Sequence, residues 1–278
     1  MNASDLFSRR TKGAPPVATR HVLLGVPVDD VTTREALAFL AAAIERRRAH
    51  GQAPTHCTQV VTLNPEMLMA ARRDAALREA IQTAALVVAD GIGIVLAARL
   101  LGVRLRERVT GVDLLEAFTG LAAERGFRIY LLGAPPCVAR AAGEALVRRH
   151  PGLVVAGSYA GSPATEAAET ILARLAAARP DALFVAFGSP AQERWLAARR
   201  GQLGAAVAIG VGGALDMLAG RVPRAPHWMR RAGLEWLYRL WRQPWRWRRM
   251  LVLPRFAVVV GLAACRLRLG RVLPTGRA

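Results

Sequence analysis

Lysine is almost missing from this 278-residue chain: Lys12 is the only one, and arginine supplies every other basic side chain. Cysteine is scarce too. Cys57, Cys137 and Cys265 lie far apart, form no CxxC pair and are odd in number, which argues against a disulfide framework. The stretch from Met1 to Pro16 has no apolar core, so no secretory signal peptide is expected. In the last fifth, the longest charge-free apolar run is Phe256 to Cys265, ten residues, against the roughly 20 that a bilayer-spanning helix needs. Several fingerprints are absent. Gly91-Ile92-Gly93 is not continued to GxGxxG, and neither a GxxxxGK[ST] loop nor a Gly-x-Ser-x-Gly elbow occurs. No DxD and no Cys/His group with metal-ligand spacing exists, so no metal cofactor is expected.

Acid is missing from one region above all. Between Arg221 and Ala278 there are fourteen arginines and a single acidic residue, Glu235. That surplus of +13 leaves only +6 of the formal +19 for residues 1–220. The same segment holds Trp228, Trp236, Trp241, Trp245 and Trp247, five of the six tryptophans. Arginine interleaved with tryptophan suits a surface that is anionic outside and greasy beneath, as a phospholipid headgroup layer is. The pI of 11.6 alone would also allow a nucleic-acid-binding protein, but the charge is too localised for a nucleic-acid-coating core.

From His21 onward, short apolar runs alternate with helical stretches. The runs are His21–Val26, Gln59–Leu63, Leu86–Ala89, Arg128–Leu132, Leu153–Ala156, Ala182–Phe187 and Ala206–Val211. Helices are expected near 33–48, 65–82, 92–101, 112–125, 136–149, 165–178, 190–200 and 213–219. Such short apolar strands between helices predict an α/β fold with a mostly parallel sheet covered on both faces. Thr32 followed by Glu35 offers a cap for the first helix. In an open parallel sheet the ligand sits beyond the carboxyl ends of the strands, which directs attention to the strand-to-helix turns.

Asp90 stands at one such strand end. It suits either the cap of the next helix or a partly desolvated general base. Thr62 and Asn64, two apart, leave the preceding strand end on one face, either as turn residues or as polar contacts for a sugar or nucleotide. Gln192 and Glu193 open a helix after a Gly-Ser-Pro turn, and Asp216 lies one turn beyond Gly212-Gly213. Arg108 ends the run Arg104, Arg106, Arg108, a pattern common on solvated edges. Arg239, Arg242, Arg246 and Arg249 are spaced by three, four and three residues and would line one helical face if Pro244 only starts a second helical segment.

The order and spacing of these turns resemble one family. Thr62-x-Asn64, Asp90-Gly91 and Glu107-Arg108-Val109-x-Gly111-x-Asp113 carry the likeness in the first half. Gly188-x-Pro190-x-Gln192-Glu193, Gly210-Val211-Gly212-Gly213-Ala214-x-Asp216 and Gly220 carry it further. Arg224-Ala225-Pro226-x-Trp228, Gly233-Leu234-Glu235-Trp236-Leu237-Tyr238-Arg239 and Pro244-x-Arg246 complete it. The chain resembles the WecG/TagA/CpsF glycosyltransferases (glycosyltransferase family 26) from about residue 21 to 250, with Leu251 to Ala278 outside the likeness. Two positions depart: Ala191 stands where the family often has Lys, and Met250 where an aromatic is frequent.

The resemblance implies inverting, metal-free transfer of a sugar from a UDP-sugar to an undecaprenyl-diphosphate-linked acceptor. The sugar would be N-acetylmannosamine, its uronic acid or glucose, moved in cell-surface polysaccharide synthesis. It makes Asp90 the base that deprotonates the acceptor hydroxyl. It places Thr62, Asn64, Arg108, Gln192 and Asp216 around the substrate pocket. Arg239, Arg246 and Arg249 match arginines of a C-terminal appendage that closes over the site and meets the membrane. The expected organisation is a flexible leader at 1–19, a Rossmann-like core at 20–220, an Arg/Trp-rich appendage at 221–250 and a membrane-interfacial tail at 251–278. The expected location is the cytoplasmic face of the plasma membrane, on an anionic lipid surface, without a nucleic-acid partner; a homo-oligomer is compatible with this reading. The rival readings are a non-catalytic peripheral membrane-binding module and a basic nucleic-acid-binding protein.

Overall fold

The computed structural model describes residues 19–50 and 56–272. Residues 1–18 of the expected leader and 273–278 of the expected tail lie outside the described residues. The chain opens with β1 (Arg20–Leu23) and β2 (Val26–Asp29), then α1 (Thr33–His50), β3 (Thr58–Leu63), α2 (Pro65–Ala71), α3 (Ala75–Gln82) and β4 (Leu86–Ala89). There follow α4 (Ile92–Leu100), α5 (Gly111–Arg125), β5 (Arg128–Gly133), α6 (Pro136–Arg149), β6 (Val154–Tyr159), α7 (Ala168–Ala178) and β7 (Ala182–Ala186). Next are α8 (Ala191–Arg199), β8 (Val207–Gly210) and α9 (Ala214–Leu218). The C-terminal part is helical: α10 (His227–Arg231), α11 (Glu235–Arg242), α12 (Trp247–Met250) and α13 (Val252–Val272).

Six strands form one sheet in the order β4-β3-β8-β7-β5-β6, and every neighbouring pair is parallel. The runs read from sequence recur as strands because both faces of the sheet are covered, so strand residues such as Val60, Val61, Leu131, Leu132, Phe184 and Val185 are all buried. On one face, Leu40, Phe118, Leu146 and Leu215 from α1, α5, α6 and α9 close over Ile129, Phe184 and Ile209. On the other, α2, α3 and α4 contribute Leu68, Ile81 and Ala98, and α7 and α8 contribute Ile171 and Trp195. Full burial of each large apolar side chain is worth about 1.5–3 kcal/mol.

Two expectations need correction here. The run at His21–Val26 is not a strand of the parallel sheet. Leu24 (φ 52°) and Gly25 (φ 84°) turn the chain back, so β1 and β2 form a separate antiparallel hairpin. An ion pair with its carboxylate buried pins it: Arg20 grips Asp29 at 2.7 and 2.8 Å, and Asp29 Oδ2 accepts from the β4 amide of Val87 at 2.7 Å. The hairpin thereby covers an edge that would otherwise offer a free amide. The helix expected at 65–82 is two helices, because Asp74 Oδ1 accepts from Leu77 N at 3.0 Å and starts α3 as a fresh N-cap. The expected cap of α1 does form: Thr32 Oγ1 accepts from Glu35 N, and Glu35 Oε2 accepts from Thr32 N.

The tail differs from its sequence reading in length. Arg255 does not end the apolar stretch but sits inside α13, a continuous helix of 21 residues. The helical region Pro244–Arg268 has a mean hydropathy of 1.9 over its most apolar window, long and apolar enough to cross a bilayer by length and composition. One stripe of it is occupied, however. Phe256, Val260 and Ala264, four apart, are buried, with Phe256 and Val260 joining the core beneath α2 and α4. The opposite side exposes Val258 and Leu262.

Candidate active site

Strands β3 and β8 lie side by side at the centre of the sheet, yet the helices that follow them, α2 and α9, pack on opposite faces. Their carboxyl ends therefore diverge and leave a crevice, the usual ligand position in such sheets. Thr62 Oγ1 donates to Gly210 O at 3.1 Å and ties the two ends together at the crevice floor. Asn64 caps α2 by accepting from Met67 N at 2.9 Å. Gln192 is buried behind the crevice; its Oε1 accepts from Gly188 N and Gly212 N, each at 3.1 Å, so one amide joins the turns after β7 and β8.

Asp90 ends β4 beside this crevice. Its amide donates to Leu63 O at 2.7 Å. Its carboxylate does not cap the helix that follows. The N-cap of α4 is Gly91, with no side-chain cap bond. The Asp90 carboxylate turns away and accepts from Gly111 N, the start of α5, at 3.3 Å. Burial raises its pKa to about 6; the Gly111 bond opposes this, nearby Glu235 adds to it, and Arg239 and Arg108 pull it down. A carboxyl group so poised changes protonation near neutral pH, which suits a general base.

Two of those neighbours belong to the C-terminal segment, so the appendage is docked against the site. Gly233 makes the closest approach: it has φ 74°, and a Cβ there would lie 2.6 Å from Ile92 Cβ at the start of α4. Arg108 Nη2 donates to Arg230 O at 2.8 Å. Arg224 ion-pairs with Asp113 at 2.8 Å and Glu116 at 3.0 Å on α5, with Glu235 of α11 at 3.7 Å. Replacing Gly233 with Ala is expected to loosen this docking through both strain and clash, at a cost of about 1–3 kcal/mol. Faster proteolytic release of the segment after Gly220, with the core left intact, is the result to look for.

Docking frames a half-open cavity of about 240 Å³ lined by Gly213, Asp216, Val222, Arg239, Gln243, Trp245, Arg246 and Arg249. The three arginines do not share one helical face, as the spacing suggested. Pro244 opens a 3-10 turn between α11 and α12, and the bend swings Arg246 and Arg249 back toward Arg239. Arg242 is exposed and does not line the cavity. Burial lowers the pKa of Arg239 and of Arg246, and mutual repulsion among the arginines adds to it, while Asp216 opposes it in both. Gln243 accepts from Arg246 at 3.0 Å, and Glu66 pairs with Arg249 at 2.7 Å. Arginine keeps its charge under such conditions, so the cavity concentrates positive charge, and Asp216 is the one acidic residue in its lining among the described residues.

Asp90, Arg108 and Arg239 are thus brought within electrostatic reach of one another, and Asp216, Arg239, Arg246 and Arg249 share the cavity. Thr62, Asn64 and Gln192 shape its surroundings through bonds to backbone. Glu66 and Gln243 were not given a site role by sequence, and neither were Arg224 and Glu235 beyond their place in the family pattern; the partners of Glu66 and Arg224 lie far away in the chain. Among the described residues, no group of three His, Cys, Asp or Glu side chains is arranged to hold a metal ion. All five tryptophans of the C-terminal segment are exposed, Trp241 by 74% and Trp245 by 71%.

The sequence matches the profile of the "Glycosyl transferase WecG/TagA/CpsF family" over residues 21–270, so most of α13 falls within the family pattern and not outside it. An N-acetylglucosaminyldiphosphoundecaprenol N-acetyl-beta-D-mannosaminyltransferase of Bacillus subtilis (strain 168) is 37% identical over 201 residues, 72% of this chain and 78% of the relative. The protein of the same name from Staphylococcus aureus (strain NCTC 8325 / PS 47) is 33% identical over 180 residues, 65% of this chain and 70% of the relative. With a carboxylate and an arginine-lined cavity set at the strand ends of a parallel sheet, and the family pattern running through nearly all of it, this chain belongs to the WecG/TagA/CpsF family and is a glycosyltransferase.

Proposed function

We propose that this enzyme transfers an N-acetylmannosamine-type sugar from its UDP donor to an undecaprenyl-diphosphate-linked N-acetylglucosamine, with inversion and without a metal. The observation that carries the reading is Asp90, a strand-end carboxyl with its pKa pushed up to about 6 next to an arginine-lined cavity. Asp90 takes the proton of the acceptor hydroxyl as that oxygen attacks the anomeric carbon. The bond from that carbon to the UDP oxygen breaks, and UDP leaves with the electron pair. Arg239, Arg246 and Arg249 face the leaving diphosphate, where cationic donors stabilise developing charge and guanidinium suits forked phosphate contacts. Arg108 and Asp216 border the donor; Thr62, Asn64 and Gln192 hold the turns on which it rests.

The names of the relatives support this choice of donor sugar and acceptor. The direct test is incubation of the purified enzyme with UDP-N-acetylmannosamine and a short-chain prenyl-diphosphate N-acetylglucosamine, followed by mass and linkage analysis of the product. A β-linked disaccharide is expected; hydrolysis of the donor without transfer would sink the assignment. Since arginine here does the work usually given to Mg²⁺, turnover is expected to survive excess EDTA. A strict, reversible requirement for Mg²⁺ or Mn²⁺ would contradict the leaving-group argument.

The same reading places the enzyme on the cytoplasmic face of the plasma membrane. Five exposed tryptophans and the free side of α13 supply apolar contact, and each basic residue near an anionic surface adds roughly 1 kcal/mol. The buried Phe256–Val260–Ala264 stripe favours α13 lying along the interface over crossing it, since crossing would strip that stripe from the core.

A further inference from the structure

Glu193 stands apart from the mechanism above. It sits in the first turn of α8, which packs against β3 and β8, and is only 1% exposed. Its Oε1 accepts from Gln192 Nε2 at 2.7 Å. That bond fixes the Gln192 amide so that its oxygen faces Gly188 N and Gly212 N. The contact is tight: a Cβ at Gly210 would lie 2.6 Å from Gln192 Nε2 and 3.0 Å from Glu193 Oε1. Gly210 in turn accepts from Thr62 at the crevice floor.

The other carboxyl oxygen lacks a donor. Glu193 Oε2 is buried without a partner, and so is Gln59 Oε1, although Gln59 Nε2 reaches the Glu193 backbone carbonyl at 3.1 Å. A buried acceptor left without a donor is costly. Among the described residues no ion pair involves Glu193; burial raises its pKa and outweighs the Gln192 and Ser189 side chains and its own backbone, which pull it down. An isolated buried carboxylate is far more costly than a neutral acid. One proton on Oε2 removes the charge from this buried site and turns an acceptor without a donor into a neutral acid.

We propose that Glu193 remains a protonated carboxylic acid in the folded enzyme and serves as the positioning residue that orients Gln192, and through it the Gly188 and Gly212 turns that border the active site. The protonation state stands independently of the roles given to Asp90 and the donor; the effect on turnover rests on the proposed site. Positioning errors of an ångström can cost about 100-fold, so Glu193→Ala is expected to lower kcat/KM for the nucleotide sugar by about 10–100-fold. Glu193→Gln, a neutral acceptor and donor of the same shape, is expected to recover most of that loss.

The decisive reading needs no substrate. A carboxyl with a raised native pKa stabilises most in acid and loses that contribution as pH rises from the ordinary carboxylate range toward its native pKa. The Tm advantage of Glu193→Gln over wild type is therefore expected to be nil near pH 4.5, the ordinary glutamate value, and to grow as pH rises. Carbon NMR of glutamate-labelled wild-type enzyme should show one carboxyl still protonated at neutral pH, a result that does not depend on either variant folding. A Tm difference that turns against Glu193→Gln as pH rises, or glutamate carboxyls that are all ionised at neutral pH, would overturn the proposal. Glu193→Gln as impaired as Glu193→Ala, with both folded, would refute the positioning role.

Discussion

Asp90→Asn is expected to lower turnover by about 10²–10⁴-fold, the usual worth of a general base, while making the folded protein more stable at neutral pH. The sign of the second effect follows from linkage. Asp90 has its native pKa raised from 3.8 to about 6, so the folded state binds a proton that the unfolded chain has already released. Its favourable contribution is complete below about pH 4, falls as pH rises, and is gone above about pH 6. Asparagine keeps the Gly111 contact and carries no charge, so above pH 6 it escapes a penalty on the order of 1–3 kcal/mol. Thermal unfolding and turnover of the same preparation check both halves. A loss of activity that follows a loss of Tm would make Asp90 a structural residue.

The other large effect belongs to Arg239, Arg246 and Arg249. Replacing all three with Ala is expected to reduce turnover by at least about 10²-fold on a soluble acceptor analogue, where membrane docking is irrelevant, because removal of even one such donor typically costs 10²–10³-fold. Donor binding is expected to weaken as well. Truncation after Gly220 would remove these arginines together with five tryptophans and α13. That protein is expected to lose both activity and sedimentation with anionic liposomes. Salt should release the intact enzyme only in part, since the exposed tryptophans contribute an apolar term that ions do not screen. A triple variant impaired only when membranes are present would reduce the appendage to an anchor.

The α/β core was legible because its cues are local. Short apolar runs bounded by turn residues read as buried strands, and Thr32 with Glu35 marks a helix start that the structure reproduces. The misreadings arose where a local pattern had two outcomes. Residues 65–82 carry one apolar period, but Asp74 competes for the backbone and restarts the helix. His21–Val26 reads as a strand until the left-handed pair Leu24 and Gly25 turns it back. The site was legible as a set of turns and not as a shape. Nothing near Arg249 in sequence announces Glu66, and nothing near Arg224 announces Asp113 and Glu116. The convergence of Arg239 with Arg246 and Arg249 depends on the turn at Pro244, which helical spacing alone cannot foresee. The tail was underestimated because counting charge-free residues stops at Arg255, whereas a long helix tolerates an arginine that reaches water.

The pH dependence of kcat/KM, measured under saturating acceptor with the donor varied, tests the central claim most directly, because it reports the titration of the enzyme's own base. The account predicts that the rate rises with pH through an acid limb with its midpoint near pH 6, where Asp90 loses its proton, and that the residual activity of Asp90→Asn lacks this limb. A wild-type profile that is flat from about pH 5 to about pH 7, or an acid limb that persists unchanged in Asp90→Asn, would contradict it.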